Sequence, residues 1–177
     1  MQQQLELEIV QQGMPGLTPV IGKYLYENCL VCLNKACHTD GIALKLMGLH
    51  EGTCCLRWRG QLTDQLLRSY QDDQETTEQG AVCLSVLLTK CLTDYTVVER
   101  SWRGTGIDYW LGYSEDPLFQ RAARLEVSGI NTETSTNTVS TRFRQKIDQV
   151  SQSDQTQLPA YISVVEFGTP KCLFNKK

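Results

Sequence analysis

Two acids stand out by their settings. Asp108 lies in "GTGIDYWLG", Gly104 to Gly112, and Glu126 lies in "RLEVSG", Arg124 to Gly129. Each segment reads as a short strand with one carboxylate among apolar residues. A strand alternates its side chains between two faces. Asp108 should therefore share a face with Gly106, Trp110 and Gly112, opposite Ile107, Tyr109 and Leu111. Glu126 should share a face with Arg124 and Ser128, opposite Leu125 and Val127. If the strands are neighbours, the two carboxylates converge. Adjacent carboxylates repel each other unless a cation sits between them. Mg²⁺, or Mn²⁺ in its place, suits such a pair: it takes one or two carboxylates, keeps water and accepts phosphate oxygens. An ion held this way activates water and neutralises charge developing on a scissile phosphodiester. Glycines at 104, 106 and 112 allow a nucleic-acid backbone to come close. The competing reading is two solvent-facing acids, or acids paired with Arg124.

Other reactive residues weigh less. The chain has eight cysteines, and "CLVCLNKACH" offers a C-x2-C step, so a structural zinc module near the N-terminus is considered. Cys29 and Cys32 nevertheless fall with Leu25, Leu33 and Ala36 on one apolar helix face, where thiols serve as small hydrophobes. Cys54 and Cys55 point to opposite faces of a strand. A nucleophilic pair from Cys37/His38 or His50/Cys54 rests on adjacency alone, which is not catalytic geometry. Glu99 suits an arginine partner. Trp102 and Trp110 flank the GTG turn, where they could stack on bases or anchor a core.

A net charge of −3 gives no global attraction to nucleic acid, so any such contact needs local basic groups. Arg103, Arg124 and Arg142 are the candidates, from the clusters Arg100/Arg103, Arg121/Arg124 and Arg142/Arg144/Lys146. A hydrophobic share of 41% in 177 residues fits an ordinary globular protein with a substantial core. No apolar run approaches the roughly 20 residues that span a bilayer, and "MQQQLELEIV" has no leader pattern. A cytoplasmic, non-membrane protein is expected.

The elements that must position these residues follow from periodicity. A short strand is expected over residues 5–10, a helix over 18–37 and a β-hairpin over 41–59. A long helix over 62–93 follows, with Thr63 or Asp64 as its cap and Gly80 marking a bend or a close backbone approach. Three strands come next, "YTVVERSW", "GIDYWLGY" and "RAARLEVSGI". A helix over 138–151, capped around Asn137, leads to a last strand, "AYISVVEFG". The expected fold is α/β, a central mixed sheet flanked by helices. Residues 1–61 form an N-terminal extension of helix plus hairpin packed on a core of residues 62–177.

The order helix, three strands, helix, strand, with "GIDYWLG" and "LEVS" on the second and third strands, resembles the PD-(D/E)XK phosphodiesterase superfamily. That resemblance implies a restriction-endonuclease-like α-β-β-β-α-β core and a metal-dependent nuclease, with an association to defence or repair. It implies that Asp108 and Glu126 hold Mg²⁺ or Mn²⁺, with Glu78 of the first core helix as a further ligand and Glu75 in reserve. In the family's acid-x-Lys motif a lysine follows the acid by two residues, and here that position is Ser128. Some members carry the basic group on the following helix, which implies a catalytic role for Lys146, with Arg142 one turn away. The alternative is a lapsed nuclease fold that binds a protein or nucleic-acid partner, or a second copy of itself, in a larger assembly.

Overall fold

Eight strands form one mixed sheet in the computed structural model, which describes residues 3–177. In chain order they are β1 (Gln3–Glu6), β2 (Ala43–Gly48), β3 (Gly52–Arg57), β4 (Tyr95–Arg100), β5 (Tyr109–Tyr113), β6 (Ala123–Ile130), β7 (Ala160–Glu166) and β8 (Lys171–Lys176). Across the sheet they lie β1-β3-β2-β8-β7-β6-β5-β4. β4, β5 and β6 are antiparallel, β6 and β7 are parallel, and β8 turns back antiparallel on β7. β8 also receives β2 in parallel, so the strands of residues 1–61 continue the same sheet.

Four helices flank this sheet: α1 (Pro19–Lys35), α2 (Asp64–Ser69), α3 (Asp73–Leu92) and α4 (Val139–Val150). α1 and α3 cover one face, where Leu25, Leu33, Leu84, Leu88 and Leu125 belong to one buried cluster. α4 covers the other face, packing Val139 and Val150 against Trp110, Ile130, Ile162 and Val164. Apolar residues every three to four positions place such a stripe on one side of each helix.

Several expected boundaries move, each for a local reason. The helix over 62–93 is two helices, because Asp72 takes an extended conformation and its Oδ1 accepts from the N–H groups of Gln74 and Glu75, both at 3.0 Å. That carboxylate starts a new helix where a continuous one would have no free N–H to cap. Gly80 marks a close approach and no bend. A Cβ there would sit 3.1 Å from Cys32 Sγ and 3.2 Å from Cys29 Cα, so the glycine lets α1 lie against α3. The strand placed at 5–10 is β1, ending at Glu6, after which residues 7–12 form a 3-10 helix that buries Leu7 and Val10. The cap of α4 is Thr138, whose side chain accepts from Thr141 N. β8 has no counterpart in the sequence reading. Among the described residues no helix is long and apolar enough to cross a membrane.

Candidate active site

β6 is the rail on which the site is built. Arg124, Glu126 and Ser128 stand on the face that α4 covers, and α4 runs alongside in the opposite direction. Four residues of helix advance about 6.0 Å and two of strand about 6.6 Å, so the side chains stay in step. Arg142 Nη1 donates to Ser128 Oγ at 3.1 Å. One turn on, Lys146 Nζ lies 2.6 Å from Glu126 Oε1 and Gln149 Nε2 donates to the same oxygen at 2.8 Å. Lys146 also donates to Gln149 Oε1 at 2.9 Å, closing a triangle of three side chains. Further along, Arg124 Nη1 donates to Val150 O and Ser153 Oγ.

Asp108 comes from the neighbouring chain segment, just before β5. Its backbone N–H donates to Leu125 O, and its Oδ2 accepts from Val127 N at 2.9 Å. The carboxylate thus extends the β5–β6 ladder past the end of the strand. Strand alternation fails here: β5 starts only at Tyr109 and the chain bends at Asp108, so Ile107 joins Trp110 in the cluster under α4, not the opposite face as expected. The two acids are nonetheless neighbours. Burial, then the charge of Asp108, raise Glu126 to about 8, against which the Lys146 bond acts. Arg100 lies 3.7 Å from Asp108 Oδ1 and stacks over Tyr109, 4.6 Å from the ring centre.

A cavity of about 230 Å³ brings together Glu78, Arg100, Asp108, Glu126, Arg142 and Lys146. Glu78 thus faces the same space as the two strand acids, its Oε1 accepting from Gln74 at 3.2 Å. Yet no three Asp, Glu, His or Cys side chains among the described residues come together closely enough to hold one metal ion. A two-carboxylate set still suits Mg²⁺, which leaves most of its shell to water and phosphate. Both donors to Glu126 use Oε1, and the Glu126 carboxyl is also within hydrogen-bonding reach of the Asp108 carboxyl. The donor chemistry fits a divalent cation at Asp108 and Glu126.

The remaining candidates separate clearly. Arg103 lines a second cavity, of about 420 Å³, that shares Asp108, Glu126 and Gln149 with the first. Arg124, expected as a nucleic-acid contact, is 4% exposed. Its nitrogens donate to Leu158 O, Val150 O, Ser153 and Asp154, which places it beneath the cleft as a structural tie. Glu75 accepts from Tyr24, and Glu99 is held by Arg121 through two bonds of 2.8 and 2.6 Å. Trp110 is buried beneath the Arg121 guanidinium, so it cannot stack on a base. His38 and His50 each engage a backbone carbonyl, of Phe167 and Leu92. Burial pushes the Cys32 thiol up to about 12, which keeps it protonated as a core residue. Gln149 is the one site residue that sequence reasoning missed. Its position three residues after Lys146, on the same helix flank, was the available signal. No protein-family model matches the chain, and neither a curated protein nor a solved structure matches it.

Proposed function

We propose that this chain is a metal-dependent nuclease that hydrolyses phosphodiester bonds in DNA or RNA. The observation that carries the reading is the pairing of Asp108 with Glu126 at a cleft into which α4 delivers Lys146. The succession α3-β4-β5-β6-α4-β7 supports assignment of a restriction-endonuclease-like core to residues 73–166. Asp108 and Glu126 would hold Mg²⁺ or Mn²⁺, with Glu78 across the cavity. When bound, such an ion polarises a phosphoryl oxygen and lowers the pKa of water.

The chain's own residues supply the rest. Lys146 restores beside Glu126 the positive charge that β6 lacks at Ser128, where it stabilises negative charge developing on the phosphate. Gln149 fixes both Lys146 and Glu126 by bonding to each. Arg142 and Arg103, on either side of the acids, suit phosphate oxygens, since a guanidinium binds them with two parallel donors.

The experiment is cleavage of single- and double-stranded DNA and RNA by the purified chain with Mg²⁺ or Mn²⁺. Cleavage is expected, and Asp108→Ala and Glu126→Ala should each abolish it while circular dichroism stays native. Persistent cleavage in either folded variant would sink the assignment. A second reading, a non-catalytic subunit that binds a protein or nucleic-acid partner, is favoured by one observation: among the described residues no group of three Asp, Glu, His or Cys side chains comes together at the pair. It requires no metal-dependent cleavage of any substrate and a stable partner in pull-down.

A further inference from the structure

We infer that Trp102 is a stacking platform for an unpaired nucleobase, so that the cleft takes single-stranded nucleic acid, or a duplex with an unpaired segment. This rests on the nuclease reading of the same cleft and names its substrate class. Of the three tryptophans, Trp58 and Trp110 are 8% and 5% exposed while Trp102 is 77% exposed. A lone exposed apolar residue is ordinary on a protein surface. What distinguishes Trp102 is where it stands and how firmly it is held there.

It stands on the rim of the 420 Å³ cavity that also contains Asp108 and Glu126, between Arg100 and Arg103. Among the described residues Arg103 makes no ion pair, and the Arg100 side chain is 54% exposed. Cationic groups that follow the backbone, with an aromatic ring for the bases, are the two parts of a single-strand site.

The turn that carries it is braced from three sides. Ser101 N donates to Asp108 O at 2.8 Å, closing the turn directly onto the acid. The Thr105 hydroxyl lies 2.6 Å from Ser101 Oγ and donates to Trp102 O at 2.9 Å. Gly106, at φ +75°, lies against the carbonyl of Gln149, where any Cβ would collide. Gln149 is the residue whose side chain holds Glu126. The backbone of the turn that carries the indole and the paired acids are therefore referenced to the same residue of α4. In a paired duplex each base face is covered by its neighbours. Only an unpaired base offers a face to the indole.

The test uses Trp102's own fluorescence, since the other two indoles are buried. The full chain, in EDTA so that nothing is cleaved, is titrated with oligothymidylate, oligouridylate and a fully complementary duplex of two strands without loops or overhangs. Both single strands should quench the emission and the duplex should not. A strand that quenches alone identifies DNA or RNA as the source. Trp102→Ala should weaken single-strand affinity roughly 5- to 150-fold, measured by anisotropy of a labelled strand, the range set by one stacked base. Trp102→Phe should restore it to within a few-fold. Unchanged affinity in Trp102→Ala, equal quenching by the fully paired duplex, or no response to any oligonucleotide overturns the inference, the last leaving Trp102 as an anchor for a protein. The two readings fail separately. Quenching without cleavage on any substrate removes the nuclease and keeps the base site. Metal-dependent cleavage of paired duplex and single strand alike, unchanged in Trp102→Ala, removes the base site and keeps the nuclease.

Discussion

Arg124 and Glu126 stand two residues apart on one face of β6, 4% and 2% exposed, under the same helix. Their surroundings differ in kind. Arg124 meets two bonds to Leu158 O, one each to Val150 O and Ser153 Oγ, and the carboxylate of Asp154. Each of its nitrogens has an acceptor, so its burial costs little. Glu126 has Lys146 and Gln149 on one oxygen, yet a second acid, Asp108, presses on it from the other side. A buried ionisable group that serves architecture is given complementary partners. One that a neighbouring carboxylate and burial hold protonated works against folding as pH rises and marks a site that expects a ligand.

The largest effect that would break this contrast is on chemistry. Asp108→Asn keeps an oxygen for Val127 N but removes the second negative charge. We expect metal-dependent cleavage to fall at least about a thousandfold, or about 4 kcal/mol of barrier, in a single-turnover assay. Thermal stability should hold or rise, because the repulsion on Glu126 is gone. A stability loss as large as that of an architectural residue would put Asp108 in the same class as Arg124.

Arg124→Met should do the reverse. The carbonyls of Leu158 and Val150 and the buried Ser153 hydroxyl lose a donor, and unsatisfied buried groups of this sort cost about 3 kcal/mol together. Urea unfolding measures the loss. Under conditions where the variant is folded, cleavage and oligonucleotide affinity should remain, since Arg124 lies outside the cleft.

The pH response sharpens the comparison further. Glu126 is raised from 4.5 to about 8 in the folded chain. Between those values the folded chain keeps a proton that the unfolded chain has released. Its contribution to stability is therefore full below about pH 4.5 and is lost as pH rises through about 8. Glu126→Gln removes this loss, so its stability relative to the wild type should grow from pH 5 to pH 8. Metal binding must displace the same proton. Mn²⁺ affinity should tighten by up to about tenfold per pH unit from 6 to 8, with one proton released per ion, read by calorimetry in two buffers. A flat profile would remove Glu126 as a ligand.

The acids and the elements that carry them were legible because period-two alternation and the helical period are local properties of the chain. What escaped depended on contacts distant in sequence. Ile107 is assigned to the wrong face when the alternation is carried back past Tyr109, where β5 begins, because the chain bends at Asp108. Arg124 read as a surface cation because the segment that covers it, residues 150–158, returns from beyond α4. β8 is a six-residue strand with lysine at both ends, and only its partners on both sides, β7 and β2, make it a central strand. Gln149 required the register of α4 on β6, which neither segment contains alone. Lys146 was placed from the family resemblance, and the matching steps of helix and strand explain how it reaches Glu126.

Gln149 also provides the smallest test of the contrast. It lines the cleft and bonds Lys146 through its oxygen and Glu126 through its nitrogen. If it acts by holding that pair, Gln149→Ala should lower kcat about fivefold with KM unchanged, and conservative Gln149→Glu should not rescue it, because a third acid replaces the donor to Glu126. Removal of Lys146 leaves Gln149 only its bond to Glu126. Gln149→Ala should then cost less in a Lys146→Met background than in the wild type, a coupling of up to about 1 kcal/mol for residues in contact. Additive losses would mean that the two act independently. Glu126 would then be held by two unrelated donors, as Arg124 is held by unrelated acceptors, and the distinction between the two buried charges would lie in Asp108 alone.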